Sequence, residues 1–482
     1  MEDLRPVGYV IGLLVLALGL TMLAPLLSDI VSGNGEWPVF AGAATVTSLS
    51  GGLVALSCRN GVGEGLSIRQ TFLVTTTIWV VTPVFGAIPF MTGASQLPFV
   101  DAFFEAMSGL TTTGATVIED IDPLPEGLKL WRGIMQWLGG IGIIVVAMVF
   151  LPELRVGGMQ IFRSEAFDTM GKILPRAGEI ASRISVIYVG LTLACAFAYG
   201  LAGQSGFDAM VHAMTTVATG GFANYNTSFG DLGAASQYIA AAFMVLAALP
   251  FVRYVQLLDG QPKPLLRDPQ VRGFFLTLGL IVLAMTVWLW IRAGDLSEIG
   301  FRRALFNVTS IMTGTGYASS NYMAWGSFAV VMFFFIGLIG GCAGSTACSV
   351  KIFRYQLLFA AINAQVRRIH STSGVFIPRY DGRPVGDDVL TSVMAFFIAF
   401  IAALIVVSIA LGMTGLDFIT SVSGAATALA NVGPGLGQMI GPAGTFAGVG
   451  DTAKWILSFA MLLGRLEILV VMTIVTPAFW RA

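Results

Sequence analysis

The sequence predicts an all-α membrane protein built on an internal fourfold repeat, with two extra transmembrane helices at its N-terminal end. Three observations carry that prediction. Hydrophobic residues make up 56% of the 482 positions and charged residues only 11%, whereas a water-soluble domain carries about 25% charged residues to cover its surface. Fifty-eight glycines are too many for a plain helical bundle; they require irregular backbone within the bilayer, which is tolerated only where protein buries it or water lines it. The third observation is a Thr/Gly-rich segment that returns four times, roughly every hundred residues.

A membrane helix needs about twenty apolar residues. Ten segments qualify, near 7–27, 38–57, 68–91, 131–151, 181–201, 236–252, 272–292, 326–358, 389–412 and 452–478. The first, within MEDLRPVGYVIGLLVLALGLTMLAP, has no small-residue cleavage site and reads as a span, not a removed leader. The eighth is interrupted, because FAVVMFFFIGLI runs into GGCAGSTACSV, a string that holds no lipid-facing helix. With both termini cytoplasmic, most of the 26 basic residues fall on the cytoplasmic side, including Arg155, Arg163, Lys172 and Arg176. Acids such as Asp101, Glu119 and Asp208 then collect outside, where they concentrate cations. Trp37, Trp131, Trp325 and Trp455 fall near span ends and read as interfacial anchors.

Between spans lie four shorter segments of one layout: DAFFEAMSGLTTTGAT (101–116), FDAMVHAMTTVATGGF (207–222), FRRALFNVTSIMTGTGY (301–317) and LDFITSVSGAATALANVGPG (416–435). Each offers a half-helix of about 12 residues, about 18 Å, which enters a bilayer without crossing it. The segments align on Gly114, Gly221, Gly316 and Gly433, which makes Glu105, His212 and Asn307 equivalent. His212 then reads as a packing or hydrogen-bonding residue. The repeat divides the chain into two N-terminal helices (1–66) and four units at 67–180, 181–270, 271–385 and 386–482.

Half-helices whose C-terminal ends meet at the membrane centre each direct a partial negative charge there. Asp101, Asp208 and Asp417, at the opposite ends, suit the positive pole of that dipole. The Gly/Thr loops that follow turn their carbonyls inward at little steric cost. Four such strands around one axis replace the hydration shell of a monovalent cation.

TTTGAT (111–116), TGGF (219–222), TGTGY (313–317) and NVGPG (431–435) resemble the four filter sequences of the TrkH/TrkG/KtrB/HKT superfamily of potassium transporters. GGCAGSTACSVK (340–351) is similar to the intramembrane loop of its third repeat, and LLGRLEILVV (462–471) to its last helix. The match runs over about residues 70–478, and the two preceding spans point to the TrkH/TrkG branch. The resemblance implies a repeat of M1, pore helix, filter loop and M2 around one pore in the bacterial inner membrane. It implies potassium as the transported ion, coordinated by carbonyls of Thr112, Thr113 and Gly114, of Thr219, Gly220 and Gly221, of Gly314, Thr315 and Gly316, and of Asn431, Val432 and Gly433. Glycine at all four key positions resembles the potassium-selective members, not the plant relatives with serine in the first. The family also implies a homodimer and a cytosolic ring of nucleotide-binding TrkA-type subunits docked on the basic inner segments.

Arg465 sits at the middle of the last expected span, where an arginine costs at least about 2.5–3.5 kcal/mol and must face protein or water. Glu467 is a poor intrahelical partner, being two residues away. The resemblance implies that Arg465 lies below the filter and meets a loop that includes Gly340, Gly341, Gly344, Ser345 and Thr346, the two forming a movable constriction. That loop offers hydroxyls to itself or to Arg465. It lacks the GK[ST] of a phosphate loop, and no segment alternates strand and helix, so this chain binds no nucleotide. A proton- or sodium-coupled secondary transporter is the alternative reading. It needs a membrane-buried carboxylate, and among 27 acids only Glu467 is expected there. Without a CxxC pair, a histidine cluster or a GxSxG serine, the chain carries no zinc site and no hydrolase signature. Its net charge of −1 excludes a nucleic-acid binder.

Overall fold

The computed structural model describes residues 3–61, 66–145, 177–293 and 297–481. Among the described residues six helices are long and apolar enough to cross a membrane: Arg5–Ser32, Trp37–Gly61, Ile68–Thr92, Ala181–Leu201, Pro269–Arg292 and Asp387–Met413. Their outward faces expose large apolar side chains such as Leu53, Leu56, Ile398 and Val406, as a lipid-facing surface requires. A capping box sets the start of the third span: Gln70 N donates to Ser67 Oγ at 3.1 Å, and Ser67 N donates to Gln70 Oε1 at 2.9 Å. The first two helices approach closely through small residues. A Cβ on Gly12 would lie 2.8 Å from the Gly51 carbonyl oxygen, and one on Gly19 would lie 2.7 Å from Ser48 N.

Three of the other four expected spans are not simple rods. The segment at 326–358 is interrupted as expected, with helices at Ser327–Ile336 and Ile352–His370 and a coiled stretch between them. The segment at 236–252 breaks into Ala234–Ala247 and Phe251–Leu258, bent by 90°. Pro250 precedes the second piece and cannot donate to a continuing helix. The segment at 452–478 breaks into Asp451–Arg465 and Ile468–Val475, bent by 108°. Arg465 therefore ends a helix and does not sit midway along one. The segment at 131–151 begins as helix Glu126–Val145; its last part, with Arg155, Arg163, Lys172 and Arg176, lies outside the described residues.

All four half-helices are present, at Phe99–Leu110, Gly206–Val217, Glu298–Thr313 and Phe418–Ala430. Three start on side-chain caps. Ser205 Oγ accepts from Asp208 N, Ser297 Oγ from Gly300 N, and Asp417 Oδ2 from Ile419 N and Thr420 N. These bonds, led by those from Thr420, hold the exposed Asp417 carboxyl below the usual carboxylate range. Asp101 lies in the first turn of the uncapped first half-helix and pairs with Lys454 at 2.5 Å. Among the tryptophans, Trp37 and Trp455 are exposed as anchors should be, but Trp131 and Trp325 are buried. Trp131 is enclosed because its helix packs on the first half-helix, and its indole donates to the Gly86 carbonyl at 3.0 Å.

Two apolar cores flank the centre of the molecule. One joins the second and third units; the other joins the N-terminal helices to the first and fourth.

Candidate ion pathway

The four loops that follow the half-helices close into a ring, and the evidence is steric. A Cβ built on Gly114 would strike the Gly220 carbonyl, and one on Gly221 would strike that of Thr315. On Gly316 it would lie 2.9 Å from Gly433 N, and on Gly433 it would lie 2.9 Å from the Gly114 carbonyl. Each strand thus abuts the next, and the fourth returns to the first. The backbone repeats as well. Thr112, Thr219, Gly314 and Asn431 all have positive φ, between 49° and 79°. Two residues later Gly114, Gly221 and Gly316 have φ of 80–84°, while Gly433 is glycine because of its neighbour and not its torsion. Successive carbonyls of an ordinary strand face opposite sides; left-handed residues interrupt that alternation and let neighbouring carbonyls share a side.

The twelve expected residues lie in this ring, and their polar groups divide. Backbone N–H groups turn back to the half-helix ends: Thr113 to Ser108 O at 2.8 Å, Gly220 to Thr215 O at 2.9 Å, Val432 to Thr427 O at 2.9 Å, and Gly316 to Ser310 O at 3.2 Å. Side chains also turn outward, as in Thr111–Thr113 and Thr313–Thr315 hydroxyl pairs at 2.8 Å and Asn431 Nδ2 to Thr113 Oγ1 at 3.1 Å. Of the twelve carbonyls, only that of Gly220 accepts a hydrogen bond among the described residues, from Gln136 Nε2 at 2.6 Å. Buried carbonyls normally find a partner, so the other eleven make up a cluster of acceptors without a protein donor among the described residues. Gly220 retains its second lone pair.

A second ring of contacts fixes the loops beyond the glycines. The N–H three residues after each key glycine is held by a half-helix side chain: Val117 by Glu105 Oε2 (3.0 Å), Asn224 by His212 Nε2 (3.2 Å), Ser319 by Asn307 Oδ1 (3.1 Å) and Leu436 by Ser423 Oγ (3.0 Å). The equivalence of Glu105, His212 and Asn307 read from the sequence is therefore physical; the fourth acceptor is one place earlier in the alignment, at Ser423. Glu105 is fully buried and pairs with Arg132 at 2.9 Å; Arg132 also donates to the Ala223 carbonyl and lies 4.1 Å above the Phe222 ring.

Below the ring runs the interrupted segment, and it touches every unit. Ser349 N donates to Ala430 O, and Cys348 N to Thr313 O, at the ends of the fourth and third half-helices. Cys342 N and Thr346 N take the carbonyls of Ala248 and Ala247, freed where the sixth span breaks, and Gly344 O accepts from Phe251 N. Cys348 Sγ lies 3.4 Å from Thr112 Oγ1. Gly340 N bonds Val350 O, and Gly341 packs against Ala248. Arg465 is buried and touches this loop through Cys348 Sγ at 3.2 Å; its other bond goes to Gly139 O at 2.8 Å. The hydroxyls of Ser345 and Thr346 do not reach it, since they bond Cys342 O and Ala247 O. A cavity of ≈ 170 Å³ lined by Gly114, Gly221, Gly316 and Gly433 opens on one side of the ring. A smaller one of ≈ 40 Å³, lined by Asn431, Cys348, Ser345 and Arg465, lies on the other.

The buried acids correct the sequence reading. Glu105, Asp29 and Asp268 are buried, because short helices and span ends enclosed by protein look like surface in a hydropathy profile, whereas Glu467 is only half-buried. All are engaged: Glu105 by Arg132, Asp29 by Gly127 N, Asp268 by Arg253, and Glu467 by Arg354, whose guanidinium lies 3.8 Å above the Phe396 ring. Sequence reasoning also missed Gln136 and Cys348 as braces, and offered no signal for them.

Fold and ring together define a multi-pass membrane protein of the transport class. The family model for TrkH, described as a cation transport protein, matches residues 38–481. The Trk system potassium uptake protein TrkI of Halomonas elongata is 45% identical over 99% of this chain and 97% of its own. TrkH of Escherichia coli is 35% identical over 99% of both chains. The crystal structure of the potassium transporter TrkH from Vibrio parahaemolyticus superposes with a TM-score of 0.91 at 34% identity, covering 100% of both chains. The chain belongs to the TrkH family of cation transport proteins.

Removing one partner of a buried ion pair costs about 3–5 kcal/mol. Glu105→Gln, which keeps an acceptor for Val117 N but leaves Arg132 uncompensated, should lower stability by that order. Thermal unfolding of the detergent-solubilised variant checks it; an unchanged melting temperature would show that the pair does not brace the loops.

Proposed function

We propose that this chain is the pore of a potassium uptake system in the bacterial inner membrane. The observation that carries the reading is the closed ring of four strands with eleven carbonyls that accept no hydrogen bond among the described residues. Carbonyls at this density replace the hydration shell of a monovalent cation, and the half-helix ends add negative potential. Thr112 to Gly114, Thr219 to Gly221, Gly314 to Gly316 and Asn431 to Gly433 are the coordinating residues. The division into two N-terminal helices and four units serves that arrangement. Both termini are cytoplasmic, and the cation enters from the larger cavity, down the inside-negative potential, which supplies about 2.3 kcal/mol per charge per 100 mV.

Arg465 and the loop of Gly340, Gly341, Gly344, Ser345 and Thr346 form the gate. A buried guanidinium on the inner side of the ring repels a passing cation, and its bonds to Cys348 and Gly139 hold it there. The chain works as a homodimer embedded in lipid, with its gate controlled by a cytosolic TrkA-type nucleotide-binding ring; the chain itself contributes no nucleotide site.

Rubidium and sodium uptake by the purified chain in liposomes tests the pore. Electrogenic rubidium flux that exceeds sodium flux and needs no proton or sodium gradient is expected. Flux that appears only with such a gradient would replace the pore by a coupled transporter. Arg465→Ala should raise basal flux and leave the preference for rubidium intact; flux at or below that of the parent in well-folded protein would count against the gate. Gly114→Ser places a side chain against the Gly220 carbonyl and should lower the rubidium-to-sodium ratio. An unaltered ratio would reject Gly114 as part of the filter.

A further inference from the structure

The four acceptors behind the ring are chemically unlike: a carboxylate, an imidazole, an amide and a hydroxyl. They nevertheless perform one task, holding the N–H three residues beyond each key glycine. We propose that Glu105, His212, Asn307 and Ser423 are positioning residues that set the ring's selectivity, and that His212 makes the hold on the second strand depend on protonation. The inference rests on the reading of the ring as a filter.

The hydrogen bonds around His212 fix its tautomer. Asn224 N–H donates to Nε2 at 3.2 Å, so Nε2 must be unprotonated and Nδ1 must carry the hydrogen, which goes to Gln204 Oε1 at 2.8 Å. Protonation turns both ring nitrogens into donors. Nε2–H then faces Asn224 N–H, and the strand that starts at Thr219 loses its outer backbone tether, keeping only the side-chain bonds of Asn224 and Tyr225 to Asp208. No other acceptor among the described residues takes the Asn224 N–H.

Groups from every packed element face this imidazole. On its own helix, Asp208 is the nearest carboxylate, but its oxygens are taken by Asn224 Nδ2 at 2.8 Å, Tyr225 Oη at 2.9 Å and Ser205 Oγ at 2.7 Å. Lys129, on the helix Glu126–Val145, opposes Asp208 electrostatically. Tyr199 from the preceding span, Tyr225 and Phe229 present rings with centroids 6.4, 6.0 and 5.1 Å away, and Tyr317 of the third unit donates to the His212 carbonyl at 3.3 Å. Among the described residues no direct ion pair stabilises the imidazolium, so its formation falls on the strand contact.

The third unit supplies the control, because Asn307 does the same task without titrating in this range. Rubidium and sodium uptake by the full chain in liposomes would be compared between external pH about 7.5 and about 3.5, low enough to protonate an imidazole that burial keeps neutral, for the parent, His212→Asn and His212→Leu. The parent's rubidium preference should fall about tenfold in acid, as for loss of one buried hydrogen bond, and return on neutralisation. His212→Asn should keep the neutral preference and flatten the acid response, whereas His212→Leu should lack the preference at every pH. An Asn variant with the parent's acid response, or a Leu variant with the parent's preference, would overturn the proposal; the Asn profile decides it even where the Leu variant does not fold. A parent without rubidium preference at neutral pH would instead reject the filter reading itself.

Discussion

Everything in this molecule is arranged around the close approach of four backbone strands. Where Gly114 meets Gly220, and Gly433 meets Gly114, no side chain fits, so the ring exists only because each strand presents a hydrogen to the next. That contact leaves a cluster of carbonyls without partners among the described residues, in a medium that offers no water from the lipid side. An acceptor surface of this kind is costly unless it faces a cation or water. The remaining architecture holds those carbonyls in place against their mutual repulsion.

The restraint is applied from two directions. N–H groups inside the ring are tied to the ends of the half-helices, and N–H groups beyond it are tied to side chains one or two turns earlier. The charged member of the second set, Glu105, is balanced by Arg132, which keeps a net positive charge away from the wider cavity. On the narrower side the interrupted segment exploits broken helices. Carbonyls released where the sixth span bends become acceptors for Cys342 and Thr346, so a helix defect in one unit anchors a loop from another. Arg465, at the end of its own broken helix, is presented to that loop for the same reason.

Much of this was legible in the residues. Of the ten apolar runs, six are single helices long enough to span and two more are bent pairs among the described residues, and the four recurring Gly/Thr stretches marked the half-helices to within a few residues. Aligning those stretches on one glycine each also placed Glu105, His212 and Asn307 in register, and the structure gives all three the same bond. Ser423 escaped because the fourth unit is offset by one residue. The straight spans drawn through Ala247–Phe251 and Arg465–Ile468 were wrong because hydropathy registers apolar content, not direction. Trp131 and Trp325 were misplaced for a related reason: a span end covered by protein has the same composition as one at the lipid surface.

The sequence by itself determined the solvent, the helical content, the fourfold repeat and the strands on which the glycines must meet, since each follows from local composition and spacing. Tertiary structure decided which groups face one another. The pairing of Glu467 with Arg354, of Arg465 with Cys348 and of Gln136 with Gly220 joins positions more than eighty residues apart. No periodicity encodes such contacts. They arise when four similar units close around one axis and polar side chains, deprived of water, take the partners that closure brings to them.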